Sequence, residues 1–216
     1  MVAGITWPNI VTVTRLSMVF LLVMLAYGDS IWSRLLAALV AVLVIIGDWL
    51  DGHLARKLHQ STTLGSVLDV AADRIIENVL WIILADLDLV PIWIPVIVIS
   101  RGILTDSIRG YALSLGYSGF GKKTMMKSRI GRFITGSPIM RTSYAILKAF
   151  SYGWLLLFAV LDEVLVRWPV VATAWVGTGL AIGYWCAIVA TIVCIVRGIP
   201  VVVEGFKLIQ GEGAHA

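Results

Sequence analysis

Residues 48 to 73 carry four aspartates at two helical spacings. Asp48 and Asp51 stand at i and i+3, Asp69 and Asp73 at i and i+4, so each pair projects from one face of its own helix. Two adjacent antiparallel helices then aim four carboxylates into one space. Like charges in a low-dielectric site raise one another's pKa, so the four cannot all stay ionised without cations. Oxygen-only ligands favour a hard ion, Mg²⁺ or Mn²⁺, over zinc, and two ions bridged by a shared carboxylate are the expected occupancy. Gly52, Ala55 and Gly65 keep the neighbouring turns open to a bulky ligand, and Arg56 offers a guanidinium to phosphate. A metal-bound phosphate ester suits this chemistry. The competing reading is structural: the aspartates pair with Arg56, Arg74, Arg101 and Arg109 as buried ion pairs that tie helices together.

The elements that must position these acids follow from composition. Of 216 residues, 59% are hydrophobic and 14% charged, against roughly 45–50% and about 25% in a soluble domain. With a mean hydropathy of +0.94, an ordinary water-soluble fold is excluded, and the length suits about six helices of ~20 residues with no further sizeable domain. Six apolar segments can be marked, at Ile10–Tyr27, Ser33–Gly47, Val67–Leu84, Pro91–Leu115, Ser143–Leu161 and Val170–Val196. Cys186 and Cys194 lie inside the last one, which supports neither a disulfide nor a cysteine metal site. The net charge of +4 reads as loops facing anionic lipid, with no nucleic-acid partner expected. The opening MVAGITWPNI lacks a basic stretch of the kind that begins a cleavable signal peptide.

Lysine and arginine orient the segments. Connections one, three and five are base-poor, holding Arg34, then Asp86 and Asp88, then Arg167 beside Asp162 and Glu163. Connections two and four hold Arg56 and Lys57, then Lys122, Lys123, Lys127, Arg129, Arg132 and Arg141, and Arg197 and Lys207 follow segment six. Both termini are therefore expected in the cytoplasm, of a bacterial cell on this reading. The expected architecture is all-α and polytopic: six transmembrane helices over residues 1–197 and a loosely ordered cytoplasmic tail over 198–216. In that topology Arg15, Asp48, Asp51, Asp69, Asp73, Glu77, Arg101, Asp106 and Arg109 fall in one layer. Each charge in hydrocarbon costs at least ~2.5–3.5 kcal/mol, so the layer implies a polar cavity, the active site, at the cytoplasmic side.

Residues 47–74, GDWLDGHLARKLHQSTTLGSVLDVAADR, resemble the signature of the CDP-alcohol phosphatidyltransferases: D-x2-D-G-x2-A-R, eight residues, G-x3-D-x3-D. Asp48, Asp51, Gly52, Ala55, Arg56, Gly65, Asp69 and Asp73 meet every fixed position. The resemblance extends from Pro8-Asn9 through Thr12 and Arg15 to about Arg109. It implies a six-helix membrane enzyme, commonly a homodimer, that moves a phosphatidyl group from CDP-diacylglycerol to an alcohol and releases CMP. By motif position it puts Asp48, Asp51, Asp69 and Asp73 around the divalent metals, and Gly52, Ala55, Arg56 and Gly65 at the CDP moiety. Asp73 becomes the general base. Direct displacement is expected, because the motif offers no evident serine, cysteine or histidine nucleophile; His53 reads as a solvated neighbour and His59 as a loop residue.

The acceptor is read from the basic residues that follow. Arg101 and Arg109, with Lys122 and Lys123 in the GKKTMMKSRIGR stretch, are candidates to hold a small phosphorylated alcohol. The alternative for that loop is contact with anionic membrane lipids. The SRGILTDSIR stretch from Ser100 to Arg109 is most similar to the phosphatidylglycerophosphate synthases, which use glycerol-3-phosphate. Those usually carry an acid directly after the first arginine, where this chain has Gly102. Inositol phosphate is the alternative acceptor. A transporter for ions or small anions is the alternative from another class, and a non-catalytic scaffold that keeps the motif as a metal-stabilised fold is a third. Charges at one end, with no interrupted helix recurring in both halves, weigh against the transporter.

Overall fold

The computed structural model describes residues 7–58, 63–117, 124–167 and 174–213. These residues are all-helical: α1 (Trp7–Ala26), α2 (Ile31–Leu58), α3 (Thr63–Asp86), α4 (Trp93–Ser114), α5 (Arg129–Gly136), α6 (Pro138–Arg167) and α7 (Ala174–Gly213). Three of them are long and apolar enough to cross a membrane, through Asn9–Ala26, Pro138–Val166 and Trp175–Gly211. Many large apolar side chains on the helices, Met24, Trp32 and Trp185 among them, are exposed. That is the surface expected of an integral membrane protein, whose outer faces meet lipid.

The chain forms two compact units. The first comprises residues 1–91 and 149–184. In it α1 packs along α2 and α3, burying Val19 and Leu22 from α1, Val44 from α2, and Leu80, Trp81, Ile83 and Leu84 from α3. The α6 and α7 portions meet through complementary shapes. Phe150, Trp154 and Phe158, four residues apart on α6, stack at 4.8 and 4.6 Å between ring centroids, and Trp175 closes edge-on at 5.9 Å. Facing this ladder, Gly179 and Gly183 provide a small-residue groove of GxxxG spacing, which lets helices approach closely where burial in lipid supplies no hydrophobic drive. A Cβ on Gly179 would lie 1.9 Å from Phe158 Cε1, and one on Gly183 2.7 Å from Leu155 Cδ2. The Trp154 indole N–H donates to the Gly179 carbonyl at 2.8 Å. Polar clamps tie the helix ends: Arg34 pairs with Glu163 at 2.6 Å, and the Tyr27 hydroxyl donates to Asp86 at 2.6 Å. Desolvation, and then the bond to the Asp86 carboxylate and its charge, push the Tyr27 phenol up to about 12.

The second unit comprises residues 92–148 and 185–216. Its core gathers Ile108 and Ala112 of α4, Met125 and Met126 of the following loop, and Val201 of α7. Gly116, at φ 81, ends α4 in a left-handed turn in which Tyr117 N–H bonds the Ala112 carbonyl at 3.0 Å and Gly116 N–H the Leu113 carbonyl at 3.0 Å.

Beyond the apolar stretch that ends at Gly47, α2 runs on through the polar motif to Leu58, in keeping with the helical spacing of Asp48 and Asp51. Two features differ from the sequence reading. The stretch after Gly198, expected as a loosely ordered tail, is helical to Gly213. Pro200 removes one backbone hydrogen bond, and packing supplies the compensation: Val201 is buried and a Cβ on Gly205 would lie 2.2 Å from Ile108 Cγ2. The basic loop contains a seventh helix, α5, too short for periodicity to reveal.

The glycine groove yields a direct test. Gly179→Ala should cost about 1–3 kcal/mol through overpacking against Phe158, read as a lower thermal midpoint in detergent. Gly177→Ala, where nothing lies within 4 Å of a new Cβ, should leave the midpoint unchanged. Equal midpoints for the two variants would contradict the packing described.

Candidate active site

The motif is divided between two helices. Asp48, Asp51, Gly52, Ala55 and Arg56 occupy the last three turns of α2; their side chains lie outside the described residues. Gly65, Asp69 and Asp73 line up at i, i+4 and i+8 on α3. Only residues 59–62 separate the helices, so Leu58 and Thr63 lie at most ~18 Å apart even for a fully extended link.

Both described aspartates are half exposed, with 50% of the Asp69 side chain and 47% of the Asp73 side chain accessible. On their inner side stands a cation from the first helix. Arg15, 4% exposed, places Nη1 4.0 Å from Asp69 Oδ1 and Nη2 3.3 Å from Asp73 Oδ1, the second contact a hydrogen bond. Its path depends on Gly47, where a Cβ would sit 3.1 Å from Arg15 Cγ. A buried guanidinium is costly unless it is paired and hydrogen-bonded, and here the pairing orients two carboxylates that remain half exposed. Arg74, one turn on, donates to Glu77 at 3.2 Å.

This geometry bears on the choice between a metal centre and simple helix-locking ion pairs. The sequence places Arg15 in the charged layer without naming it as a partner of the motif acids. The half-exposed carboxylates of Asp69 and Asp73 keep oxygen atoms accessible beside Arg15, which fits a hard divalent ion. Among the described residues no three histidine, cysteine or acidic side chains gather for one ion, and Asp48 and Asp51 fall outside that description.

A second polar cluster lies in the other unit. The Arg197 guanidinium stands 5.1 Å from the Tyr144 ring centroid, and Lys148 Nζ 4.6 Å from the same ring. Arg101 and Arg141 lie close enough for their charges to repel that of Arg197, and Arg101 packs against the bare backbone of Gly198, where a Cβ would be 2.9 Å from its Cγ. The Nε atoms of Arg101 and Arg197 are buried without an acceptor among the described residues. Buried donors left unmade cost about 1–3 kcal/mol each, and three like charges add repulsion. An anion relieves both. Of the acceptor candidates read from sequence, Arg101 belongs to this cluster. Arg109 is partly buried on α4 with interactions of its own, and Lys122 and Lys123 lie outside the described residues. Arg197 and Tyr144 were missed; the signal was the Arg197-Gly198 pair, a cation followed by a residue small enough to let another arginine cross.

A family model described as CDP-alcohol phosphatidyltransferase matches residues 5–175. The chain belongs to the CDP-alcohol phosphatidyltransferase family. Among its relatives, a Bacillus subtilis protein named CDP-diacylglycerol--glycerol-3-phosphate 3-phosphatidyltransferase is 30% identical over 154 residues, covering 65% of this chain and 76% of the relative. A Pseudomonas fluorescens protein of the same name is 33% identical over 112 residues, 50% of this chain and 57% of the relative. A Mycobacterium tuberculosis protein provisionally named cardiolipin synthase is 32% identical over 138 residues, 62% of this chain and 63% of the relative. The match takes in α1 through α6, and therefore both the motif and Arg15.

If Arg15 is the inner anchor of Asp69 and Asp73, Arg15→Gln should lower transferase activity by ~10²-fold, the scale of loss from misplaced reacting groups. Arg34→Gln, which breaks the ion pair with Glu163, should leave activity within about twofold, as expected of a partly exposed pair. Comparable losses in the two variants, normalised to folded protein, would contradict a specific role for Arg15.

Proposed function

We propose that this chain transfers the phosphatidyl group of CDP-diacylglycerol to the hydroxyl of glycerol-3-phosphate, releasing CMP. The observation that carries the reading is the half-exposed Asp69–Asp73 pair, anchored from within by Arg15, inside a complete family motif. Relatives named for glycerol-3-phosphate support that acceptor.

Asp48, Asp51, Asp69 and Asp73 would hold the divalent metal on which the family generally depends, here Mg²⁺ or Mn²⁺ and two ions. The metal supplies charge neutralisation at the phosphate oxygens. Gly52, Ala55 and Gly65 leave room for the cytidine diphosphate beside Arg56, whose guanidinium matches phosphate oxygens. Asp73 accepts the acceptor's hydroxyl proton as its oxygen attacks the β-phosphorus and the bond to CMP breaks. General-base assistance of this kind is worth ~10²–10⁴-fold. Arg15, hydrogen-bonded to Asp73 Oδ1 at 3.3 Å, keeps that carboxylate aimed. Arg101 and Arg197, whose buried Nε donors lack an acceptor among the described residues, suit the phosphate of the acceptor, with Arg141 nearby adding positive charge.

The setting of this reaction is part of the proposal. Six helices cross a bacterial cytoplasmic membrane, all but the short α5, with both termini and the site on the cytoplasmic side; the working form is a homodimer.

Purified protein supplied with CDP-diacylglycerol, Mg²⁺ or Mn²⁺, and one acceptor at a time tests the proposal. CMP release should require glycerol-3-phosphate; release that instead follows inositol phosphate or phosphatidylglycerol would reassign the acceptor. Asp73→Asn should abolish turnover without loss of folded protein. Arg197→Gln should raise KM for glycerol-3-phosphate by ~10-fold or more, the scale of a lost charge-assisted bond, with KM for CDP-diacylglycerol little changed. An unchanged acceptor KM would remove the arginine cluster from the site.

A further inference from the structure

Helix α5, RIGRFITG, is an eight-residue segment that could not persist alone in water. It is held by contacts on one side. Gly131 and Thr135 are buried, and a Cβ on Gly131 would fall 2.8 Å from Glu204 Oε1 and 3.4 Å from Pro200 Cβ of α7. Ser128 caps the helix by accepting the Gly131 N–H at 2.9 Å. The Glu204 carboxylate accepts the backbone N–H groups of Lys127 and of Ser128, the latter at 3.1 Å. Arg132 Nε donates to the Met126 carbonyl at 2.9 Å.

The rest of the helix surface is divided into two arcs. Ile130 and Phe133, at i and i+3, are 72% and 59% exposed, and Ile139 at the start of α6 is 70% exposed. Arg129 and Arg132, also at i and i+3, form the neighbouring arc with exposed Lys127 before them. No acidic residue occurs between Leu115 and Thr142. Such an apolar arc beside a cationic arc is the pattern of a helix lying in a lipid interface. Position makes the same point: α5 ends two residues before Pro138, the first residue of an apolar span of 29 residues. A segment tied so closely to a span's end stays at the bilayer surface.

We propose that α5 is a preformed contact for anionic phospholipid. Ile130 and Phe133 enter the boundary between headgroups and acyl chains, while Lys127, Arg129 and Arg132 take lipid phosphates. Glu204 is the positioning residue, because its carboxylate fixes the start of α5 against α7 while Lys127, Arg129 and Arg132 remain exposed. The basic residues of this stretch thereby separate into two roles: Arg141 faces the arginine cluster, and those of α5 face the membrane. The inference does not depend on the transferase reading.

The test uses the full chain with Cys186→Ser and Cys194→Ala, and Phe133→Cys carrying an environment-sensitive fluorophore. The protein is reconstituted into vesicles of phosphatidylcholine alone, or of phosphatidylcholine with phosphatidylglycerol. In the anionic vesicles emission should shift to the blue and iodide quenching should fall several-fold. Adding Arg129→Gln and Arg132→Gln should reverse most of this, since each basic residue contributes roughly fivefold to partition onto an anionic surface. High salt should weaken the difference between vesicle types. Equal protection in both vesicle types would mean burial against protein or apolar lipid alone. Full iodide access in both would leave the face to water or a soluble partner. Either result overturns the proposal.

Discussion

The arrangement rests on one buried guanidinium. Arg15 reaches from α1, past the bare backbone of Gly47, to the inner oxygens of Asp69 and Asp73. In an apolar bundle a lone arginine there would be prohibitive, and two carboxylates on adjacent turns of α3 would repel one another. Each charge is tolerable because of the others. Both acids stay about half exposed in spite of that contact. The same contact joins α1 to α3 and sets the register in which the rest of α3 buries Leu80, Trp81 and Leu84.

Packing in the first unit follows lipid-phase rules rather than aqueous ones. Aromatic rings of α6 lie on a glycine groove of α7, and the Trp154 indole is satisfied by a carbonyl that a larger residue at Gly179 would push away. In the second unit glycine is used differently. Gly198 and Gly205 let Arg101 and Ile108 of α4 approach α7 closely. The first places a guanidinium among other guanidiniums, and the second closes a core. Arg101 and Arg197 each bury an Nε donor with no acceptor among the described residues, close to a third cation, Arg141, which is costly without a compensating group.

Much of this was legible in the sequence because spacing speaks directly about helices. The i, i+3 and i, i+4 aspartates, the all-α class and the family followed from periodicity, composition and eight fixed positions. Partners distant in sequence were not legible. Arg15 and Asp73 are 58 residues apart, and nothing local to either names the other. Arg197 stood out only as a charge at the end of an apolar run, since its neighbours Arg101, Arg141 and Tyr144 come from other helices. The end of α7 was misread because proline and glycine after Arg197 signal a break in an isolated strand of sequence, while burial of Val201 and Gly205 overrides that signal. Helix α5 was invisible for the opposite reason: eight residues give barely two turns of periodicity, and its stability comes from Glu204, far along the chain.

The central claim is that the motif carboxylates form one divalent-cation centre for a nucleotide-activated lipid. Its most direct test is Mn²⁺ binding to the detergent-purified full chain, followed by electron paramagnetic resonance with and without CDP-diacylglycerol. The account predicts bound Mn²⁺ that tightens when the lipid nucleotide is added and is lost in both Asp48→Asn and Asp69→Asn. Mn²⁺ binding that ignores the nucleotide and survives in both variants would contradict it.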